Sequence, residues 1–240
     1  MALKVVITGP RGKMGSKVFQ TLKNKDGYHI VALIDHKPEK WNEKKLSVPV
    51  FADIQSCFLE TKPDVLIDFT NPTASYQFIK IAIEHQVKVI SGTTGFTDEI
   101  LLEINQLADQ KEIGCVIAPN FALGAVLMMV FTQYAAKFFQ DIALIEKHHK
   151  QKLDIPSGTA DLLKRLIIEE NKEINIDIKS IRAEGYIAHH EVIFGAPGQV
   201  LTLKHDSHDR KSFIHGLKLT LKEIKHIQHF IFGLENVLRI

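Results

Sequence analysis

Cysteine is nearly absent from this sequence. Only Cys57 and Cys115 occur in 240 residues, and neither has a partner at metal-ligand spacing. A disulfide framework is therefore not implied, and a reducing compartment fits. Long hydrophobic runs are missing as well. The longest, Ala122 to Phe131, is far short of the ~20 residues a bilayer-spanning helix needs and reads as a buried helix. Charge of one sign is also lacking: the net charge is +2 and the lysines are scattered rather than striped, which argues against a nucleic-acid partner. The N-terminus runs straight into a strand pattern without the layout of an export signal. No internal repeat or low-complexity tract is visible. These absences predict a soluble, cytoplasmic globular protein with no membrane span. A hydrophobic content of 45% with 24% charged residues is enough to bury one large core or two modest ones.

What is present starts with Leu3–Thr8, a β-branched run of the kind buried in a parallel sheet. It leads into Gly9-Pro10-Arg11-Gly12-Lys13-Met14-Gly15 and then a helical pattern through Val18, Phe19 and Leu22. Glycines 9, 12 and 15 between a strand and a helix form a variant of the dinucleotide fingerprint. Gly9 permits the tight turn, Gly12 the close approach of a pyrophosphate, and Gly15 the packing of helix on strand. Arg11 and Lys13 add positive charge where phosphate would lie. The next strand, Ile30–Ile34, ends in Asp35, twenty residues after Gly15, where the fingerprint places an acid for the ribose hydroxyls. His36 and Lys37 follow at once, so a 2′-phosphate is not rejected outright. The charged stretch from Lys37 to Lys45, with Trp41 in it, reads as surface loop.

Strand and helix patterns then alternate through Asp64–Thr70, a helix opened by Asn71-Pro72, Val87–Ser91, a helix opened by Thr97-Asp98-Glu99, and Gly114–Ala118. This alternation predicts an α/β, doubly wound parallel sheet of Rossmann type over residues 1–119. Gly92-Thr93-Thr94-Gly95 and Ala118-Pro119-Asn120-Phe121 fall at carboxyl ends of strands, the edge at which such sheets bind ligands.

Beyond Asn120 the pattern changes. A long apolar helix (Ala122 to Phe139) leads to a strand near Ile142–Ile145, and later strands are expected at Ile174–Ile181, His190–Phe194 and Val200–His205. Ala196-Pro197-Gly198-Gln199 suits a hairpin turn between the last two. Residues 120–211 thus read as an α+β substrate and oligomerisation domain with an open sheet. A final amphipathic helix from Lys211 to Phe230, carrying Phe213, Leu217, Leu221 and Ile224 on one stripe, is expected to pack back on the first domain as part of residues 212–240.

The chemistry concentrates in Glu146–Ala160, on a strand–loop–helix connection. His148 or His149 can move protons near neutral pH. Lys152 can hold or protonate an anionic substrate. The free N–H groups after Pro156 make an anion site, with Ser157 or Thr159 adding a hydroxyl.

Taken in order, these residues resemble the 4-hydroxy-tetrahydrodipicolinate reductase (dihydrodipicolinate reductase) family of diaminopimelate–lysine biosynthesis. The resemblance rests on Gly9–Gly15, Asp68-Phe69-Thr70, Gly92–Gly95, Ala118–Phe121, Glu146…His148-His149…Lys152…Asp154…Pro156-Ser157-Gly158-Thr159-Ala160, Arg182…His190-Glu191-Val192…Phe194 and His205…Arg210…Phe213…Gly216, and so spans the chain. It implies NADH- or NADPH-dependent reduction of a small dicarboxylate ring, with His148 as proton donor/acceptor and Lys152 as second acid. It also implies substrate contacts from His149, Gly158 and Thr159, beside the hydroxyl of Ser157. Cofactor contacts are implied for Gly9, Pro10, Arg11, Gly12, Lys13, Met14, Asp35, His36, Gly92, Thr93, Thr94, Ala118, Pro119, Asn120 and Phe121, and the resemblance implies a homotetramer. The chain departs from the family pattern at Pro10-Arg11 and Lys13, at Ile155 where alanine is usual, and at Glu184 where a small residue is common.

The chemistry agrees. Hydride reduction of a ring conjugated to an imine leaves an enamine-like carbon that needs a proton, and a histidine can supply it. Two other readings compete: a dinucleotide-sensing protein without turnover, and a metal-dependent hydrolase suggested by His205/His208 and His226/His229. The first gives no reason for His148, His149 and Lys152. The second lacks the accompanying carboxylate or cysteine ligands, so no metal is expected.

Overall fold

A computed structural model of the chain describes residues 2–23, 26–41, 46–172, 174 and 176–240. Contacts divide it into two compact units, residues 1–121 with 213–239 and residues 122–212.

The first unit is built from β1 (Leu3–Thr8), α1 (Lys13–Leu22), β2 (Tyr28–Ile34), β3 (Val50–Phe51), α2 (Ile54–Thr61), β4 (Val65–Asp68), α3 (Pro72–Glu84), β5 (Lys88–Ser91), α4 (Asp98–Lys111) and β6 (Cys115–Ile117). The second holds α5 (Leu123–Ala136), β7 (Asp141–His148), α6 (Gly158–Glu170), β8 (Ile178–Arg182), β9 (Ala188–Ala196) and β10 (Gln199–Ser207). The chain then supplies α7 (Ser212–Glu223), β11 (Phe230–Phe232) and α8 (Leu234–Leu238).

Seven parallel strands make the sheet of the first unit, in the order β11-β6-β5-β4-β1-β2-β3. Strands β1, β4, β5 and β6 are almost wholly buried, as expected where helices cover both faces. The order reverses between β1 and β4, so the switch point of a doubly wound sheet falls at the turn carrying the glycines. Asn71 and Thr97 cap α3 and α4 by accepting the Ala74 and Ile100 N–H groups.

The second unit has a mixed sheet in the order β10-β9-β7-β8: β7 and β8 are parallel, the other pairs antiparallel. Pro197-Gly198 closes the β9–β10 hairpin, with Gly198 at φ +78 where a turn of this kind favours glycine. Val192 and Phe194 on one face, with Ile142 and Leu144 of β7, form its buried core.

Several expectations are corrected. The helix read from Lys211 to Phe230 ends at Glu223, followed by a 3₁₀ turn (Ile224–His226) and the seventh parallel strand, β11. The Lys88 ammonium donates to the carbonyls of Ile224, Lys225 and Ile227 (2.9, 3.0 and 2.6 Å), which holds the chain at that break. Strand β8 starts at Ile178 rather than Ile174; residue 175 lies outside the described residues. The long helix is shorter, Leu123–Ala136, and β3 and α2 were not anticipated. Within the stretch read as loop, Pro38–Lys40 form a 3₁₀ turn, and residues 42–45 lie outside the described residues.

Candidate active site

In the first unit the loops after β1, β2, β4, β5 and β6 lie at the carboxyl edge of the sheet. Gly9 adopts φ +64, and a Cβ there would lie 2.6 Å from the Phe69 carbonyl oxygen. On Gly15 a Cβ would lie 2.1 Å from the Gly9 carbonyl oxygen, so helix α1 can pack on the turn only with glycine. Helix α1 opens at Gly12 without a side-chain cap, which leaves its first N–H groups available to an anion. A cavity beside it is lined by Gly9, Arg11, Gly12, Asp35, His36 and Thr70, among others. The glycine turn, the uncapped helix and the acid at the end of β2 fit a dinucleotide.

Arg11 is turned toward Asp35. Its guanidinium makes a two-point pair with Asp35, Nε to Oδ2 at 2.5 Å and Nη2 to Oδ1 at 2.6 Å. Trp41, read from sequence as loop, donates its indole N–H to Asp35 Oδ2 at 2.8 Å, and the Lys37 backbone N–H donates to Oδ1 at 3.0 Å. Burial pushes the Asp35 carboxyl up, but the bonds from Arg11, Trp41 and Lys37 outweigh it and hold the group down at about 2. His36 is exposed, its Nδ1 3.4 Å from Asp35.

Beneath these loops lies a feature the sequence did not reveal. Asp68, fully buried at the end of β4, accepts hydrogen bonds from five hydroxyls: Thr8 (2.6 Å), Thr70 (2.7 Å), Ser75 (2.5 Å), Ser91 (2.8 Å) and Thr93 (2.7 Å). One carboxylate thereby ties together the ends of β1, β4 and β5. Gly92 has a packing reason of its own, because a Cβ there would overlap the Phe69 ring at 2.2 Å. Of the other cofactor candidates, Pro10, Thr93, Ala118 and Phe121 are buried and can offer little beyond backbone or edge atoms, whereas Lys13, Thr94 and Pro119 are exposed and Met14 and Asn120 half-buried.

In the second unit the strand runs on to His148, so this histidine stands on β7 and not in the loop. Glu146 and His148 are two apart and share a face of the strand. Register brings Ser180 of β8 and His190 of β9 alongside Glu146, and Arg182 of β8 alongside His148. Glu146 Oε2 is in hydrogen-bond contact with His148 Nδ1, while Arg182 Nη2 donates to Glu146 Oε1 at 2.7 Å. Burial lowers the readiness of His148 to take a proton; Glu146 works against that, and Lys152 and Arg182 add to it. His190, 2% exposed, is pushed down to about 3 by burial first and by its neighbour His148 next, so it stays neutral.

Ser157 caps α6, accepting the Ala160 N–H at 3.3 Å, and its hydroxyl lies 3.1 Å from His190 Nε2. Pro156 precedes the cap, and the first helical residue is Gly158. A Cβ on Gly158 would meet nothing within 4 Å, and the Gly158 backbone N–H faces the Asp154 carboxylate, which Lys152 and this N–H hold below the usual carboxylate range. Lys152 Nζ lies 2.8 Å from Asp154 Oδ2. His149 has a buried Nδ1 without a hydrogen-bond partner among the described residues. The structure therefore brings His148 together with Glu146, Arg182 and His190. The sequence reading gave those three no role, although the spacing of Glu146 and His148 on a strand was a usable signal.

A dinucleotide-type sheet in one unit, with a second unit that carries a buried histidine–carboxylate pair, is the equipment of an oxidoreductase that works with a nicotinamide dinucleotide. Residues 3–121 match the family model described as dihydrodipicolinate reductase, N-terminus, and residues 124–238 match the model of its C-terminus. The chain belongs to the dihydrodipicolinate reductase family. It is 41% identical to the 4-hydroxy-tetrahydrodipicolinate reductase of Oceanobacillus iheyensis, over 99% of this chain and 100% of that protein. With that of Geobacillus kaustophilus it shares 42%, over 99% and 100%. Its fold matches the dipicolinate-bound dihydrodipicolinate reductase from Paenisporosarcina sp. TG-14 with a TM-score of 0.89 and 38% identity, over 98% of this chain and 99% of that one. The Mycobacterium smegmatis amine dehydrogenase shares the fold alone, at a TM-score of 0.72 and 14% identity over 98% of this chain and 96% of that one. No helix among the described residues is long and apolar enough to cross a membrane.

Proposed function

We propose that this protein is a cytoplasmic reductase of diaminopimelate–lysine biosynthesis that converts 4-hydroxy-tetrahydrodipicolinate to tetrahydrodipicolinate. The observation that carries the reading is the buried His148–Glu146 pair on the strand that leads, through the Lys152 loop, to the N-terminus of α6. When bound, the nicotinamide supplies the hydride. His148 delivers the proton that the reduced ring requires. Lys152, the Gly158 and Thr159 N–H groups and the Thr159 hydroxyl grip substrate carboxylate, with His149 beside them and Ser157 holding the helix start through its cap and its contact with His190. The backbone of Gly9 to Met14 holds pyrophosphate against the start of α1, Asp35, paired with Arg11, and His36 meet the adenosine ribose, and Gly92–Thr94 and Ala118–Phe121 line the rest. Dipicolinate bound to the Paenisporosarcina relative supports a planar dicarboxylate as substrate class. The test is cofactor oxidation followed by absorbance with substrate generated in situ; binding of cofactor without turnover would favour a sensor.

Both NADH and NADPH serve in this reading, with a preference below ~4 kcal/mol, or about a thousandfold. Asp35 suits free ribose hydroxyls, and Arg11 neutralises its charge so that a 2′-phosphate is tolerated. Arg11→Met uncovers that charge. Its kcat/KM with NADPH is expected to fall about 10–100-fold relative to NADH. Equal losses with the two cofactors would remove Arg11 from this balance.

The same reading includes a homotetramer. Strand β10 is a sheet edge with Val200 and Leu201 exposed, and Ile181 is exposed on β8 at the other edge. Light scattering at micromolar concentration is expected to return four times the chain mass, and a monomer would dispose of the assembly.

A further inference from the structure

We propose that Glu146 is a positioning residue that fixes the tautomer of His148, so that Nε2 is the atom exchanging the proton with substrate. The inference deepens the proposed function and rests on it.

Residues two apart share a face, and β7 lies between β8 and β9, so Glu146 is enclosed on both sides and has no exposed surface. A carboxylate in such a place stays ionised only if donors or cations compensate for lost water. Burial does push Glu146 up, but Arg182, Ser180 and His148 donate to it and bring it below the usual carboxylate range. An ionised carboxylate only accepts hydrogen bonds, so the imidazole nitrogen facing it must carry hydrogen. That nitrogen is Nδ1. In the neutral ring Nε2 is then the base, and in the cation it is the proton that can leave.

The other groups facing His148 do not replace Glu146 in this. Arg182 on β8 and the loop residue Lys152 both oppose a positive charge on the ring. His190 of β9 meets it edge-on, centroids 5.2 Å apart, and is neutral. Ser157, at the start of α6, is engaged with His190 and the Ala160 N–H. Among these neighbours Glu146 alone favours protonated His148.

Glu146→Gln separates charge from shape, because its amide oxygen can still accept from Nδ1. In ¹⁵N-histidine spectra the wild-type protein is expected to show the Nδ1–H tautomer of neutral His148. Glu146→Gln is expected to lower the titration midpoint of that ring by about one pH unit or more. The alkaline limb of the kcat profile should move down with it, with kcat at neutral pH falling about tenfold or more and the KM for cofactor unchanged. Glu146→Asp, which keeps the charge, should recover part of the midpoint. An unmoved midpoint and limb in Glu146→Gln would overturn the assignment, as would an Nε2–H tautomer in the wild type, which needs no variant to fold. His148→Gln serves as the control. Full activity there would remove His148 as the proton source, while the spectra would still decide the tautomer.

Discussion

Replacing His148 with glutamine is expected to lower kcat by ~10²–10⁴-fold while cofactor affinity stays nearly unchanged. Glutamine keeps a polar group on β7 that Glu146 and Arg182 can satisfy, so the buried cluster is not left with an unpaired charge. What is lost is a group able to hold a proton near neutral pH. The loops proposed to hold cofactor belong to the sheet of the first unit, whereas His148 belongs to the second, so dissociation constants measured by calorimetry should agree within about twofold. A variant turning over at the wild-type rate would leave Lys152 or water as the proton source.

Lys152→Met is expected to cost ~2–5 kcal/mol in kcat/KM, roughly 30- to 5,000-fold. The ammonium is already held 2.8 Å from Asp154, on the short loop that leads to Ser157, so its side chain is kept near the end of α6 before substrate arrives. A substrate carboxylate that displaces Asp154 from this position takes over the Lys152 charge and the helix N–H groups, of which the helix end alone is worth ~0.3–1 kcal/mol. Methionine keeps the length and loses the charge. Inhibition by pyridine-2,6-dicarboxylate should weaken in parallel. Should both quantities stay within ~0.5 kcal/mol of wild type, Lys152 is only a solvated loop charge.

Much of the first unit was legible because its signals are local. The run Leu3–Thr8, the glycines at 9, 12 and 15 and the acid at 35 lie in one stretch, and the steric reason for Gly15, the Gly9 carbonyl, lies in the same turn. Segments that exist only through distant pairing were not legible. Strand β3 is two residues long and is defined by Leu33 and Ile34 opposite it, and β11 is defined by β6. The stripe from Phe213 to Ile224 suggested one continuous helix, and nothing near it discloses that Lys88, far back in the chain, holds the carbonyls where it stops. The site divides the same way. His148, Lys152, Ser157 and Gly158 were read from one stretch. Arg182 and His190 reach Glu146 through strand register across 36 and 44 positions, which no local pattern encodes. The pairing of Arg11 with Asp35 was not legible, because a cation in a glycine turn suits phosphate as well as it suits the acid at the end of the next strand.

Trp41 is the only tryptophan in the chain, and its indole N–H is bonded to Asp35. Intrinsic fluorescence from this protein therefore has a single dominant emitter, fixed at the place proposed for the adenosine ribose. Its four tyrosines aside, no other side chain contributes background. Occupancy of that end of the sheet is thus optically addressable in the unlabelled chain, separately from the chemistry at His148.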